Sequence, residues 1–180
     1  MCVAAIHWQP SSDLKLVLLH NRDEYHNRST KPASPRTISN HLVMHGTDEL
    51  AGGTWLAAAD DGRLALVMNY RAGAPRAGKS SRGDLPIKFM DAPAASELSP
   101  FVGTLQQTAA EYAPFVLLFG SASSGFAWYD SVHAFTASLA PGIHTMSNHG
   151  VDRGWPKERR LSAGLAEALA AVKSHSPEAW

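Results

Sequence analysis

Cys2-Val3-Ala4-Ala5-Ile6-His7-Trp8 comes first, Gln9-Pro10-Ser11-Ser12-Asp13 follows, and Leu14-Lys15-Leu16-Val17-Leu18-Leu19-His20 runs directly into Asn21-Arg22-Asp23-Glu24. The two apolar runs read as strands. The polar stretch between them, with its proline, reads as a turn, so the pair forms an antiparallel hairpin. A hairpin returns the end of its second strand beside the start of its first. Arg22 and Asp23 are therefore expected near Cys2.

The same pattern recurs downstream. Gly52-Gly53-Thr54-Trp55-Leu56-Ala57-Ala58-Ala59, an Asp60-Asp61-Gly62-Arg63 turn and the run from Leu64 to Tyr70 form a second hairpin signal. Phe115–Phe119 and Phe126–Tyr129 form a third, with short strands expected near 133–137 and 143–147. Residues 21–41, polar and carrying Pro32 and Pro35, are expected to be an irregular loop. Residues 71–83, with Arg71, Arg76, Lys79 and Arg82 among glycines and a proline, read as a basic flexible connection. Leu85–Met90 suits a short helix. Residues 95–112 suit an amphipathic one, with Leu98, Val102, Leu105, Ala109 and Tyr112 in phase. Pro156 opens a last helix, where its missing N–H costs little, with Leu161, Leu165, Ala168, Leu169 and Val172 as the apolar stripe. Hairpins with helices in separate blocks argue an α+β fold, helices on antiparallel sheet, rather than a βαβ alternation.

With 180 residues the chain is expected to form one domain, 1–180. Sixteen basic and sixteen acidic residues cancel, so nothing suggests a nucleic-acid partner. A single cysteine excludes an internal disulfide framework and Cys-rich metal sites, and no spacing spells a metal site. No apolar run approaches a membrane span and no secretory signal is evident, so a cytoplasmic protein is expected.

Position 2 is where chemistry can reside. Methionine removal accepts a small second residue, and Cys2 would then carry both a thiol and a free α-amine. An amine titrating near 7.7–8.0 is partly neutral at pH 7 and can act as base toward its own thiol. The other reading of a lone cysteine is a small buried hydrophobe. Arg22 can stabilise a thiolate and Asp23 can hold the amine, or the cluster is a solvated strand end. Asn69 and Asn148, each at a strand end, can donate N–H to a developing oxyanion or serve as ordinary turn residues.

Met1-Cys2, Asn21-Arg22-Asp23-Glu24, Gly52-Gly53-Thr54-Trp55-Leu56, Asn69-Tyr70-Arg71, Ser81-Arg82-Gly83-Asp84-Leu85-Pro86, Ser147-Asn148 and Trp155-Pro156-Lys157 occur in that order along nearly the whole chain. Together they resemble the NRDE-motif family, also called the transport and Golgi organisation protein 2 family. The resemblance implies an N-terminal-nucleophile (Ntn) hydrolase-like αββα sandwich, two antiparallel sheets between helix layers. It is similar to the cysteine branch of that fold, in which an N-terminal Cys attacks an amide carbonyl.

Carried over, Cys2 is the nucleophile, Asp23 orients the amine, Arg22 supports the thiol, and Asn69 and Asn148 take the oxyanion or substrate-orienting roles. Asn21, Glu24, Trp55, Tyr70, Arg71 and Arg82 become ligand-binding candidates. The implied substrate is an amide or thioester of a small hydrophobic acyl compound, with no cofactor required.

The family's second association, with haem trafficking and acyl-CoA metabolism, implies an alternative: a non-catalytic haem or acyl-CoA carrier. For haem, His7, His20, His45 and His149 are the axial candidates, and Arg71, Arg76, Lys79 and Arg82 are candidates for propionate or phosphate contacts. Family members continue past the position of Trp180, so the chain is expected to be either a short form or a truncated product, and missing edge strands would expose backbone and favour a homodimer. The late arginine used by the cysteine branch has no clear counterpart in the chain.

Overall fold

The computed structural model describes residues 2–71, 77–93 and 97–174. Met1, Arg76 and His175, and with them any statement about removal of the first methionine, lie outside the described residues. In chain order the strands are β1 (Val3–Trp8), β2 (Leu16–Asn21), β3 (Thr30–Ile38), β4 (His41–Asp48), β5 (Leu56–Ala59), β6 (Arg63–Asn69), β7 (Phe115–Ser121), β8 (Gly125–Asp130), β9 (Phe135–Ser138), β10 (Gly142–Ser147) and β11 (Gly150–Val151). The helices are α1 (Asp84–Asp91), α2 (Ser99–Thr108) and α3 (Pro156–Ser174), with a 3-10 turn at Ala109–Glu111. All strand pairings between these elements are antiparallel. The fold is α+β, as the separate blocks of hairpins and helices imply.

The chain divides into two compact units. The first, Met1–Asp23 with Ala140–Trp180, holds a four-stranded sheet of order β11-β10-β1-β2. The expected first hairpin is there: Val3 pairs with Asn21 and Trp8 with Leu16. On its other side β1 pairs with β10, Val3 against Ser147. Strand alternation sends Ala4, Ile6 and Trp8 to one face, and all three are buried. Helix α3 packs on β1 and β10. Its stripe is shorter than expected. Leu165 is buried and Leu161 and Leu169 half-buried, but Ala168 and Val172 are exposed. A helix of 19 residues runs about 28 Å, and a strand of six about 20 Å, so the last turns outlast the sheet they pack on.

The second unit, Glu24–Leu139, holds a seven-stranded sheet in chain order, β3 to β9. Its centre is β6 and β7, nearly every residue of which is buried. Such strands read as continuous apolar runs rather than alternations. Helix α1 packs on β5 and β6 through Leu85, Phe89 and Met90. Phe89, Phe101 of α2 and Phe119 of β7 form a triangle of edge-on rings with centroids 5.0–5.5 Å apart.

Three expectations fail here. Residues 21–41 are not all loop, because Thr30–Ile38 forms β3 despite Pro32 and Pro35. It is an edge strand, and its register breaks between Lys31 and Ser34, around Pro32. An edge tolerates proline because one row of its N–H groups has no ladder partner to lose. The helix expected over 95–112 is α2 from Ser99 to Thr108, completed by the 3-10 turn, and Leu105, Ala109 and Tyr112 are its buried stripe. The strand expected from Gly52 begins only at Leu56. The cause is a backbone crossing: a Cβ on Gly53 would fall 2.4 Å from the carbonyl carbon of Gly83, and Thr54 N–H donates to Gly83 O at 3.0 Å. Chains that approach this closely follow a path no strand ladder takes.

Candidate functional site

The first unit assembles its candidate residues by register alone. Val3 is the last paired residue of β1 on both sides, facing Asn21 and Ser147. One step further along each antiparallel ladder, Cys2 falls opposite Arg22 on one side and Asn148 on the other. β2 has ended at Asn21, so Arg22 and Asp23 are freed from the in-out alternation of a strand. The Cys2 Sγ–H points to the main-chain O of Asp23 at 3.8 Å. Arg22 is half-buried and Asp23 exposed, and Asn21 is exposed at the strand end.

Asn148 is 3% exposed and occupies, with His149, the two-residue turn between β10 and β11. That turn is braced. Its His149 N–H donates to Ser147 Oγ at 3.3 Å, Arg153 Nε donates to His149 O at 3.2 Å, and the His149 ring stacks on Trp155 at 4.3 Å. Trp155 leads into α3, and its N–H donates to the buried Glu158 carboxylate at 3.0 Å, a helix-capping contact. From that first turn Lys157 Nζ donates to Cys2 O at 2.8 Å. Sequence reasoning quoted Trp155-Pro156-Lys157 as a motif and gave Lys157 no role.

Next to this corner, His20 pairs with Ala4. Burial, and then the charge of Arg22, push its pKa down to about 4, so it is neutral at pH 7. Its Nε2 is buried without a hydrogen-bond partner among the described residues. Also in the first unit, His7 is half-buried on β1, and its Nδ1 likewise has no hydrogen-bond partner among the described residues.

The remaining candidates belong to the second unit. Asn69 ends β6 and is exposed. Tyr70 N–H and Arg82 Nη1 both donate to Pro114 O, at 2.9 and 3.0 Å, and the Tyr70 ring meets His133 edge-on at 6.1 Å. Burial, then neighbouring Arg28, lowers the Arg82 guanidinium below its usual range. The Trp55 ring lies over Gly46, where an added Cβ would come within 2.8 Å of it. Glu24 faces Arg28 at 4.0 Å, and Arg71 is exposed. His45 is buried with its Nδ1 2.8 Å from Gly46 O. Lys79 is tied down by its N–H to Glu111 O at 2.7 Å, so the second half of the expected flexible connection is anchored.

One group of metal-ligating side chains occurs among the described residues: His41 Nδ1 lies 3.4 Å from Asp60 and 3.5 Å from Asp61. Asp61 also holds Arg63 Nε at 2.7 Å, so its carboxylate is already committed to a guanidinium. Among the described residues no helix is long and apolar enough to cross a membrane.

Cys2 thus lies just before a paired strand, Arg22-Asp23 directly beyond the next strand and Asn148 in the turn on the far side. The Transport and Golgi organisation 2 family model matches residues 1–179, and the chain belongs to that family. It is 30% identical over 190 aligned residues to the Transport and Golgi organization protein 2 homolog of Bos taurus, covering 96% of this chain and 65% of that protein. It is 31% identical over 97 residues to the Transport and Golgi organization 2 homolog of Mus musculus, covering 50% of this chain and 35% of that protein. The matched region thus spans less than two thirds of either relative.

Proposed function

We propose that the chain is a cytoplasmic N-terminal-nucleophile hydrolase of the cysteine type, one domain of αββα architecture, acting on an amide or thioester of a small hydrophobic acyl compound. The observation that carries the reading is the register around Val3, which brings Cys2, Arg22-Asp23 and Asn148 to one corner of a four-stranded sheet. Two antiparallel sheets, one with α3 against it and one with α1, are the parts an αββα sandwich requires.

In the proposed reaction the Cys2 thiol passes its proton to the α-amine freed by methionine removal, and the sulfur attacks the acyl carbon. Asn148 donates to the resulting oxyanion, and Asn69 keeps a similar role on the resemblance alone. The bond to the leaving amine or thiol breaks as the ammonium returns the proton to it. Water then adds to the thioester, the carbon–sulfur bond breaks, and the carboxylic acid and the free thiol are formed. Asp23 orients the amine and Arg22 supports the thiolate.

The test is turnover of a panel of acyl amides and thioesters, together with the intact mass of protein purified from its native cell. Turnover lost in Cys2→Ala by about a thousandfold or more, in a chain lacking Met1, is the expected result. A Cys2→Ala protein as fast as wild type, or a native chain that keeps Met1, would sink the reading.

A second reading, a carrier of an acyl-CoA, is favoured by one feature of the first unit. A groove of about 620 Å³ between α3 and the sheet is walled by Val3, Leu19, Leu161 and Leu165, with Lys157 and Arg160 among its lining residues. Apolar walls beside two cations suit an acyl chain with an anionic head. Saturable acyl-CoA binding that survives Cys2→Ala, without turnover in wild type, would favour the carrier. The haem form of this reading predicts a saturable Soret shift altered by substitution of His7, His20, His45 or His149. A homodimer accompanies either reading, and sedimentation would show it.

A further inference from the structure

Lys157 stands where a lysine is electrostatically out of place. The first turn of a helix carries partial positive charge, so cations belong at the other end. Holding a lysine side chain in one rotamer also costs side-chain entropy. Yet Lys157, half-buried in the first turn of α3, spans 155 residues of sequence to place its ammonium 2.8 Å from Cys2 O. The turn that carries it is itself fixed by the Glu158 carboxylate on Trp155 N–H, and α3 is packed on β1.

We infer that Lys157 is a positioning residue for Cys2: its ammonium anchors the Cys2 carbonyl and sets the electrostatics of the thiol and amine on the same residue. The inference deepens the nucleophile reading and rests on it for its catalytic meaning. Anchoring the carbonyl fixes the main chain from which the side chain departs. The adjacent positive charge favours thiolate over thiol and neutral amine over ammonium, the two forms an amine-assisted attack needs. Other charges beside Cys2 come from the segment after β2, where Arg22 acts in the same sense and Asp23 in the opposite one. The turn after β10 contributes the uncharged Asn148 and the His149 imidazole.

The test is the rate of Cys2 alkylation by iodoacetamide as a function of pH on the full chain. The chain has one cysteine, so the signal has one source. A cation at this range shifts a half-exposed thiol by on the order of one unit. Lys157→Met is therefore expected to raise the midpoint by about that much and slow alkylation at pH 7 several-fold to roughly tenfold. Lys157→Arg is expected to restore most of the rate, and Lys15→Met, which removes an exposed lysine, to leave the profile in place. If Lys157→Met fails to fold, Lys157→Gln serves, since it keeps a donor to the carbonyl and loses the charge.

A folded Lys157→Met or Lys157→Gln protein whose profile overlays that of wild type would overturn the inference. A profile that shifts as expected in a protein that turns over no acyl substrate would uphold the role of Lys157 and sink the hydrolase instead.

Discussion

Motif residues are used differently in the Cys2 corner and in the crossing of Gly53 with Gly83. At the crossing they are consumed by packing. Thr54 N–H is spent on Gly83 O, Gly83 N–H on Ser81 Oγ and the Arg82 guanidinium on Pro114 O, and the two backbones meet where no Cβ fits. At the corner, polar groups are gathered around a thiol at some cost. A half-buried neutral histidine has a buried nitrogen with no hydrogen-bond partner among the described residues, and a lysine is held against its helix dipole. Residues that match one family pattern thus divide into those that maintain the chain's path and, on the proposed reading, those that prepare a reactive atom. Stability measurements should separate the two groups, because only the first is selected for stability.

The largest effect should come from Gly53→Ala. Its Cβ would overlap Gly83 main-chain atoms at 2.4–2.7 Å, which no rotamer change relieves. A loss of about 3 kcal/mol or more is expected in urea unfolding. Gly52→Ala is its companion. At φ +79 with open space around it, the neighbouring glycine should cost only about 1 kcal/mol, from backbone conformation alone. Equal losses at both positions would erase the crossing as a special contact. A protein stabilised by Gly53→Ala would break the comparison.

The crossing was illegible in the sequence, and the corner was half legible, for physical reasons. Gly52-Gly53-Thr54-Trp55 reads as a strand entrance, because nothing local says that another backbone occupies the space a side chain would take. β3 was hidden by Pro32 and Pro35, which forbid a central strand but not an edge. The β1–β2 hairpin was plain from two unbroken apolar runs around a turn, and it alone implied Arg22 and Asp23 beside Cys2. Asn148 followed from its place at a strand end. Lys157 could not be found that way. The helical period gives the face α3 buries, not where its first turn lands, and that landing depends on α3 packing against a strand more than 140 residues earlier. The trio of His41, Asp60 and Asp61 was hidden for the same reason, since it joins two separate hairpin turns.

The corner's cost should be visible in pH. His20 is held near 4 in the folded chain, against an ordinary value near 6.5. Below pH 6.5 the unfolded chain takes up a proton there that the folded chain refuses, so stability falls as pH drops from 6.5 toward 4. The loss should reach roughly 2–3 kcal/mol by pH 4. His20→Gln, which does not titrate, should flatten that limb in urea melts run at successive pH values. An unchanged limb would mean that His20 pays no burial penalty, and the contrast between corner and crossing would lose its energetic basis.

His144, in the same unit, gives the smallest effect and the opposite sign. Its Nδ1 lies 2.7 Å from Asp152 and its Nε2 2.8 Å from Ala140 O, so both ring nitrogens face acceptors and only the imidazolium donates to both. The hydrogen bond that His144 donates to Asp152 raises the His144 pKa. Burial works against the Asp152 carboxylate, but the bonds from His144 and Thr145 N–H outweigh it and leave that pKa low. The His144 contribution is complete below its ordinary value near 6.5 and fades as pH rises through its raised one. The Asp152 contribution is complete above its ordinary value near 4 and fades as pH falls through its lowered one. The pair is therefore worth most between about pH 4 and 6.5, the window in which His20 is destabilising. With Asp152 48% exposed, solvent screening keeps the gain below about 1 kcal/mol. The wild-type advantage over His144→Gln should be greatest in that window and shrink above it, while the His20→Gln difference grows as pH falls. If both substitutions moved stability the same way between pH 4 and 6.5, the unit would hold two histidines of one kind, and His20 could no longer be distinguished as the one buried at a cost.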